Sequence, residues 1–191
     1  MGADEQLHRV ARCQRAVSAP VRDLLLQLAV TDIYKARWTA DIQREWIENL
    51  LENEPNRRRA DLERTRELDK ATRDALVTGY ENLIPLLELP DPDDRHVLAA
   101  AIVGRCDVIV TANLKDFPAR VLERFGIEAQ HPDEFLCNHL NLAQGLFCSC
   151  VQKVRRRLKN PPYTTEEYLE TLTRNGLVAT AAELRPFAEL L

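Results

Sequence analysis

The chain has 191 residues, 45% of them hydrophobic, which is enough apolar surface for the core of one domain and a small appended segment. Its 26 basic and 30 acidic residues give a net charge of −4, so nucleic acid can be bound only through local basic patches. Five cysteines without a CxxC pair indicate reduced thiols. The sequence shows neither a signal peptide nor a long apolar run, so we expect a cytoplasmic protein without a membrane span.

The amino-terminal third is dominated by helical patterns. In residues 1–17, "LHRVARCQRAV" has apolar residues at helical spacing and no β-branched run, which predicts a short helix or a frayed tail. Pro20 begins a buried helix, "YKARW" is a connection, and Thr39 caps a further helix, "ADIQREWIENLLEN". Residues 56–78 are charge-rich with sparse leucines, which is typical of solvated helices.

The middle of the chain alternates between strand and helix patterns. "NLIPLLEL" predicts a short strand or loop, and a helix follows from about Pro92 to Val103, ended by Gly104. "DVIVTA" predicts a strand covered on both faces, "ARVLERF" a helix and "IEAQ" another strand. This alternation predicts an α/β domain with a parallel sheet over residues 18–136, and helical patterns over residues 137–191 predict a carboxyl-terminal extension.

The stretch "LPDPDDRHVLAAA" concentrates aspartates at the start of one predicted helix. Asp91 suits the N-cap, Pro92 the first helical position and Asp94 the first turn, where acidic charge complements the positive end of the helix. The aspartates therefore have two explanations that the sequence leaves open. They cap a helix, or they form the edge of a metal site.

A second polar group follows the buried strand. Thr111, Asn113 and Asp116 come just after its carboxyl end, where open α/β sheets bind ligands. Two acidic clusters in one crevice repel each other unless a cation neutralises them, and Mg²⁺ (or Mn²⁺) takes such oxygen ligands together with substrate phosphate. This combination suggests phosphodiester hydrolysis. Glu45, at the edge of the apolar stripe of its helix, is a third candidate, although an exposed helical glutamate needs no function.

Basic residues form two local clusters that are candidates for binding nucleic acid. One comprises Arg57, Arg58 and Arg59, and the other comprises Lys153, Arg155 and Arg156 within "KVRRRLK". A solvated helix face is the favoured explanation of the second cluster, because charged runs usually lie in solvent. The histidines share no metal-ligand spacing, and His96 is interpreted as an ordinary helical residue.

Three segments together resemble a known family: "DIQREWIENLLEN", "LPDPDDRHVLAAAIVGRCDVIVTANLKDFP" and "GIEAQHPDEFL" are similar to the PIN domain of VapC-like ribonuclease toxins. The resemblance covers about residues 18–136, and the remaining helices are similar to an extension carried by one subgroup. It implies a three-layer α/β/α sandwich around a central parallel sheet, and magnesium-dependent cleavage of RNA. It further implies an inhibitory antitoxin partner and a homodimer.

The resemblance also implies roles for individual residues. Glu45 matches the helix glutamate of the family's acidic cluster, and Asp94 matches the aspartate at the start of the later helix. Asp116 matches the last polar group, with either Asn113 or Asp116 approaching the metal. Asp91 and Thr111 are expected to support these residues.

The chain departs from the family at its first strand, which ordinarily ends in an aspartate. Arg12 stands at that position, within "VARCQRAV". Residues 11–16 can be encoded by GCT-CGA-TGC-CAA-CGT-GCT, and omitting the first base yields "LDANV", so residues 1–17 are hypothesised to be out of frame. Without this aspartate, a non-catalytic module that binds RNA or an antitoxin is the alternative to an enzyme. A phosphate-binding α/β protein is weaker, because GxxxxGK and GxGxxG motifs are absent.

Overall fold

The structure, a computed structural model, describes residues 9–12, 18–53, 75–159 and 161–191. For residues 9–12, 46–47 and 49–53 it describes the backbone alone. Within these residues no helix combines the length and the apolar character that crossing a membrane requires.

A parallel sheet of four strands lies at the centre of the described structure, in the order β2-β1-β3-β4. The strands are β1 (Arg9–Arg12), β2 (Lys35–Arg37), β3 (Val108–Val110) and β4 (Glu128–Gln130). In register, Arg12 pairs with Val110, and Val110 pairs with Gln130. The carboxyl ends of β1, β3 and β4 therefore lie side by side at one edge of the sheet.

The helices are α1 (Ala19–Ala29), α2 (Ala40–Asn53), α3 (Arg95–Val103), α4 (Ala119–Leu122), α5 (Pro132–Leu142), α6 (Gln144–Arg157), α7 (Thr165–Arg174) and α8 (Val178–Leu184). Short 3-10 segments span Glu81–Leu86, Pro92–Asp94, Leu114–Asp116, Glu123–Phe125 and Arg185–Leu190. The α/β fold expected from the alternating patterns is therefore present.

The predicted short helix or frayed tail in the amino-terminal segment is wrong for residues 9–12, which form β1 in the middle of the sheet. Its backbone pairs with β2 on one side and β3 on the other. Backbone pairing from two neighbours outweighs the weak local preference of "RVAR", because strand propensity depends strongly on tertiary context. The rest of residues 1–17 lies outside the described residues.

Two further predictions of local structure need correction. The presumed connection "YKARW" contains strand β2. Residues 75–78 lack the predicted helix, since the Val77 amide donates to the Trp38 carbonyl at 2.8 Å and the Trp38 amide to the Ala75 carbonyl at 3.0 Å. The remainder of the predicted helix over residues 56–78 lies outside the described part. For "NLIPLLEL" the structure agrees with the loop alternative and not with the strand, since a 3-10 segment over Glu81–Leu86 is followed by irregular backbone at residues 87–89.

Helix α1 is the element on which much of the core packs. Its leucines Leu24, Leu25, Leu26 and Leu28 are almost completely buried. The carboxyl-terminal helices α6 and α7 contact α1, and the Cys150 thiol of α6 lies 3.8 Å from the Gln27 carbonyl. The helices after residue 137 thus share a core with the earlier part of the chain, and the boundary between residues 18–136 and 137–191 stays a prediction.

Candidate metal centre at the carboxyl edge of the sheet

The strand order predicts a ligand-binding crevice at the carboxyl ends of β1 and β3. From β1 the next strand along the chain lies on one side, whereas from β3 the next strand lies on the other side. Such a reversal in an open parallel sheet leaves a cleft at the carboxyl ends of the two central strands, where ligands bind. Helix α3 contacts both β1 and β3, so its amino-terminal turn is brought to this region.

Three aspartates meet at this edge. Asp91, Asp94 and Asp116 each offer a carboxylate oxygen, and these oxygens all lie within 4.8 Å of one another. Asp94 is 3% exposed and Asp116 is 9% exposed, so two of the three carboxylates are largely removed from water. Carboxylates that are close together and shielded from water generally favour the binding of a cation.

Capping explains one of these aspartates and not another. The Asp91 carboxylate accepts a hydrogen bond from the Asp93 amide at 2.9 Å, which caps the 3-10 turn Pro92–Asp94. Asp94 occupies the N-cap position of α3, but its side chain makes no capping hydrogen bond to that helix. Helix capping therefore does not account for the position of the Asp94 carboxylate in the acidic cluster.

A chain of local contacts orients Asp116 after β3. Thr111 is fully buried, and its hydroxyl accepts a hydrogen bond from the Asn113 amide at 3.1 Å. The Asn113 side-chain amide then donates to the Asp116 carboxylate in a short contact. The arrangement makes Asn113 a partner that holds Asp116, as well as a candidate ligand through its amide oxygen.

Glu45 lies outside the three-aspartate group among the described residues and faces a histidine. Its carboxylate oxygen Oε1 is 3.6 Å from His96 Nε2, and its side chain is 32% exposed. His96 Nδ1 lies 2.7 Å from the Asp93 carbonyl. From the sequence, His96 is interpreted as an ordinary helical residue. Asp93 and His96 are one helical turn apart, and this spacing is the signal that could have identified the contact between the His96 ring and the Asp93 carbonyl.

Asp41 and Tyr80 form a second pair next to this histidine that sequence reasoning missed. The Tyr80 hydroxyl donates to the Asp41 carboxylate, and this hydrogen bond lowers the pKa of Asp41, assisted by Arg44 and His96. Burial, with the adjacent Asp41 carboxylate, raises the pKa of Tyr80. Tyr80 follows Gly79, whose φ of +76° is a conformation that glycine adopts without strain.

The basic clusters differ in what the structure describes. Arg57, Arg58 and Arg59 lie outside the described residues. Arg155 donates to the Tyr163 carbonyl at 2.6 Å and to the Leu191 carbonyl at 3.0 Å, so its guanidinium ties the carboxyl terminus to α6. Lys153 and Arg156 are exposed. Their contact with nucleic acid stays a prediction, and Arg155 has a structural task instead of a free guanidinium.

Comparison with known proteins adds evidence of ancestry. The chain is 39% identical over 98 residues to "Putative ribonuclease VapC50" of Mycobacterium tuberculosis (strain ATCC 25618 / H37Rv), a match that spans 51% of this chain and 57% of that protein. No solved structure matches the chain.

Two family descriptions match separate parts of the sequence. The model for the VapC50 C-terminal domain matches residues 132–186, and the model for the PIN domain matches residues 11–115. The second match covers more than half of the chain and includes Glu45, Asp91 and Asp94, and it ends one residue before Asp116. The chain is therefore a VapC-like member of the PIN domain family.

Proposed function

We propose that this chain derives from a divalent-metal-dependent endoribonuclease of the VapC type, which hydrolyses RNA phosphodiesters at the cluster of Asp91, Asp94 and Asp116. The observation that carries the proposal is the approach of three carboxylates to within 4.8 Å of one another. Two come from the turn before α3 and one from the turn after β3, so the sheet edge assembles them from distant parts of the chain.

The chemistry of these donors fits a hard divalent cation. Mg²⁺ and Mn²⁺ prefer carboxylate oxygens, and Mg²⁺ commonly uses one or two carboxylates with water and substrate phosphate. Such an ion, when bound, activates water for attack and stabilises negative charge on the phosphate. Asp94 and Asp116 would hold it, Asn113 would keep Asp116 in place, and Asp91 would add charge while capping its turn. Glu45 is assigned to the flank of the same crevice.

Arg12 is expected to lower the activity of this chain, because it replaces an aspartate of the PIN pattern. Its backbone ends β1 beside Val110, at the edge where the PIN pattern expects an aspartate. A guanidinium near this cluster competes with a cation, since unlike charges about 4 Å apart attract by roughly 4 kcal/mol at intermediate dielectric. We infer weak metal binding and low cleavage activity, together with a reading-frame error in residues 1–17 as the origin of Arg12.

The position of Arg12 also favours a second candidate function. A chain that keeps the fold but loses its metal would act as a non-catalytic module that binds RNA or an antitoxin. Lys153 and Arg156, with the cluster Arg57, Arg58 and Arg59, are its proposed RNA contacts. The remaining proposals from the family resemblance are a cognate antitoxin, a homodimer, a cytoplasmic location and a complete three-layer α/β/α sandwich.

Metal titration with parallel RNA cleavage separates the two functions. We expect Mg²⁺ or Mn²⁺ to bind the full chain, measured by isothermal titration calorimetry, and D94N to lower that affinity by about 10- to 100-fold. Cleavage of a labelled RNA should depend on the metal and disappear in D94N. A matched control is D107N, since Asp107 precedes β3 at the opposite end of the strand. Metal binding that is absent, or unchanged in D94N, contradicts the enzyme and supports the binding module.

A further inference from the structure

His96 carries a buried nitrogen that the proposed acidic cluster does not use. Its Nε2 atom is shielded from solvent and makes no hydrogen bond within the described residues. The whole side chain is 11% exposed, so water has little access to the ring. A buried polar atom without a partner costs free energy and calls for a ligand, an ion or a proton.

The other ring nitrogen determines what Nε2 can do. Nδ1 lies 2.7 Å from the Asp93 carbonyl oxygen. A carbonyl only accepts hydrogen bonds, so Nδ1 carries a hydrogen and donates it. In the neutral ring Nε2 then presents a lone pair. A histidine whose second nitrogen donates to a backbone carbonyl is oriented in the way that metal-binding histidines usually are.

The Nε2 lone pair faces a carboxylate. Glu45 Oε1 lies 3.6 Å away, which is longer than the roughly 2.7–2.9 Å of a charge-assisted hydrogen bond. Two ligand atoms that each lie about 2.1 Å from one metal ion are about 3.0–3.6 Å apart at ordinary coordination angles. The separation suits two ligands of a shared ion better than a formed hydrogen bond.

Glu45, and not its neighbour Asp41, is the carboxylate that faces His96 Nε2. Asp41 lies one helical turn before Glu45, but its two carboxylate oxygens are engaged by the Tyr80 hydroxyl and by Arg44, the latter at 2.6 Å. Among the described residues, His96 is the positively ionisable group within ion-pair distance of Glu45. Two acceptors thus face each other across a gap that a cation would fill.

We propose that His96 Nε2 and Glu45 Oε1 are a mixed nitrogen and oxygen ligand pair for a first-row transition-metal ion, beside the three-aspartate cluster. The inference rests on the proposed function, and it adds His96 as a metal ligand and a preference for the kind of ion. Imidazole favours ions such as Co²⁺ and Zn²⁺ over Mg²⁺, which prefers oxygen. The pair therefore shifts the selectivity of this region away from magnesium.

Cobalt is the probe for the test, because visible absorption reports Co²⁺ coordination directly. We titrate the full chain with Co²⁺ and, separately, with Mg²⁺. H96N should lower the Co²⁺ affinity by about tenfold or more while changing the Mg²⁺ affinity by less than about threefold. Asparagine keeps a donor for the Asp93 carbonyl and places no atom at Nε2. Pulsed electron paramagnetic resonance of the Mn²⁺-loaded chain should detect a directly bound nitrogen that H96N removes.

The matched control is H131N. His131 accepts a hydrogen bond from the Asp133 amide at 3.2 Å as the N-cap of α5, and asparagine also serves as an N-cap. H131N should leave the Co²⁺ affinity unchanged. E45Q changes the second proposed ligand of the same ion and should also weaken Co²⁺ binding. It replaces H96N as the test if circular dichroism shows that H96N does not fold.

The outcomes distinguish this inference from the proposed function. If D94N weakens Mg²⁺ binding while H96N and E45Q leave Co²⁺ binding and its spectrum unchanged, the ligand pair is wrong and the ribonuclease proposal stands. If H96N and E45Q weaken Co²⁺ binding while D94N leaves Mg²⁺ binding and RNA unaffected, the ligand pair stands and the ribonuclease proposal fails.

Discussion

One aspartate of α5 and the three aspartates at the sheet edge lie in different kinds of environment. Asp133, in α5, accepts hydrogen bonds from the Ala179 amide at 2.8 Å, the Thr180 amide at 2.8 Å and the Thr180 hydroxyl at 2.7 Å. It thereby caps the first turn of α8, which has no side-chain cap of its own. At the sheet edge, Asp91, Asp94 and Asp116 instead gather carboxylate oxygens within 4.8 Å of one another.

The difference shows how burial alone misleads. Each region shields carboxylates from water. Asp133 receives hydrogen bonds at both of its oxygens from the start of another helix, whereas the sheet edge gives Asp91 and Asp116 local donors and also places three carboxylates together. Donors stabilise the native state directly. Like charges destabilise it until a cation arrives. We expect a cluster of the second kind to bind a cation rather than to stabilise the fold, and the following predictions test that expectation.

The largest effect is expected from restoring the aspartate at the sheet edge. Replacing residues 11–15 by "LDANV" exchanges a guanidinium for a carboxylate at the end of β1, so metal affinity should rise by about 100-fold and RNA cleavage should rise with it. R12A is the matched variant, since it removes the positive charge without adding a ligand and should give a smaller gain. Equal activity in all three chains would exclude Arg12 as the cause of low activity, and sequencing the locus tests the reading frame.

A change of Asp116 should affect the metal and spare the fold. D116N keeps an oxygen that accepts from Asn113 but loses the negative charge. We expect metal affinity to fall by about tenfold. The free energy of unfolding without metal should change by less than about 0.5 kcal/mol, because mutual repulsion is relieved. Calorimetric titration and urea unfolding measure the two quantities, and a large loss of stability with intact metal binding would reverse the interpretation.

The same exchange at Asp133 should have the opposite pattern. D133N can accept through one oxygen only, and its amide group meets backbone N–H donors at the start of α8. The cost should be about 1–2 kcal/mol of unfolding free energy, as for the loss of a helix cap. Metal affinity should stay within the error of titration. A D133N chain that unfolds at the wild-type urea concentration would show that this cap contributes nothing.

The smallest effect is a dependence of stability on pH. Burial raises the pKa of Asp133, but the hydrogen bonds from Thr180 and Ala179 outweigh it, and the net pKa is lowered. Its stabilisation is therefore complete above the unfolded pKa near 3.9 and is lost as the pH falls through the lower folded value. Unfolding curves of wild type and D133N between about pH 2 and 5 should converge at the acid end. Parallel curves would contradict the shift.

Local sequence determined several elements because neighbouring residues encode them. Thr39 caps α2 by accepting from the Ile42 amide at 3.1 Å, and Thr164 caps α7 with Glu167 in a reciprocal capping box. The buried run "VIV" predicted β3, which is buried throughout. The placement of Thr111, Asn113 and Asp116 after this strand followed from the same pattern. These features depend on spacings of a few residues, which a sequence displays directly.

Tertiary structure decided the features that join distant segments. "RVAR" becomes a central strand only because β2 and β3 flank it, and "KAR" becomes a strand by pairing with β1. The contact of Glu45 with His96 spans 51 positions, since 96 − 45 = 51, and that of Asp133 with Thr180 spans 47. Hydrophobic period and turn residues specify each segment separately. Which segments meet depends on the free energy of packing and strand pairing over the whole chain, and no local pattern contains it.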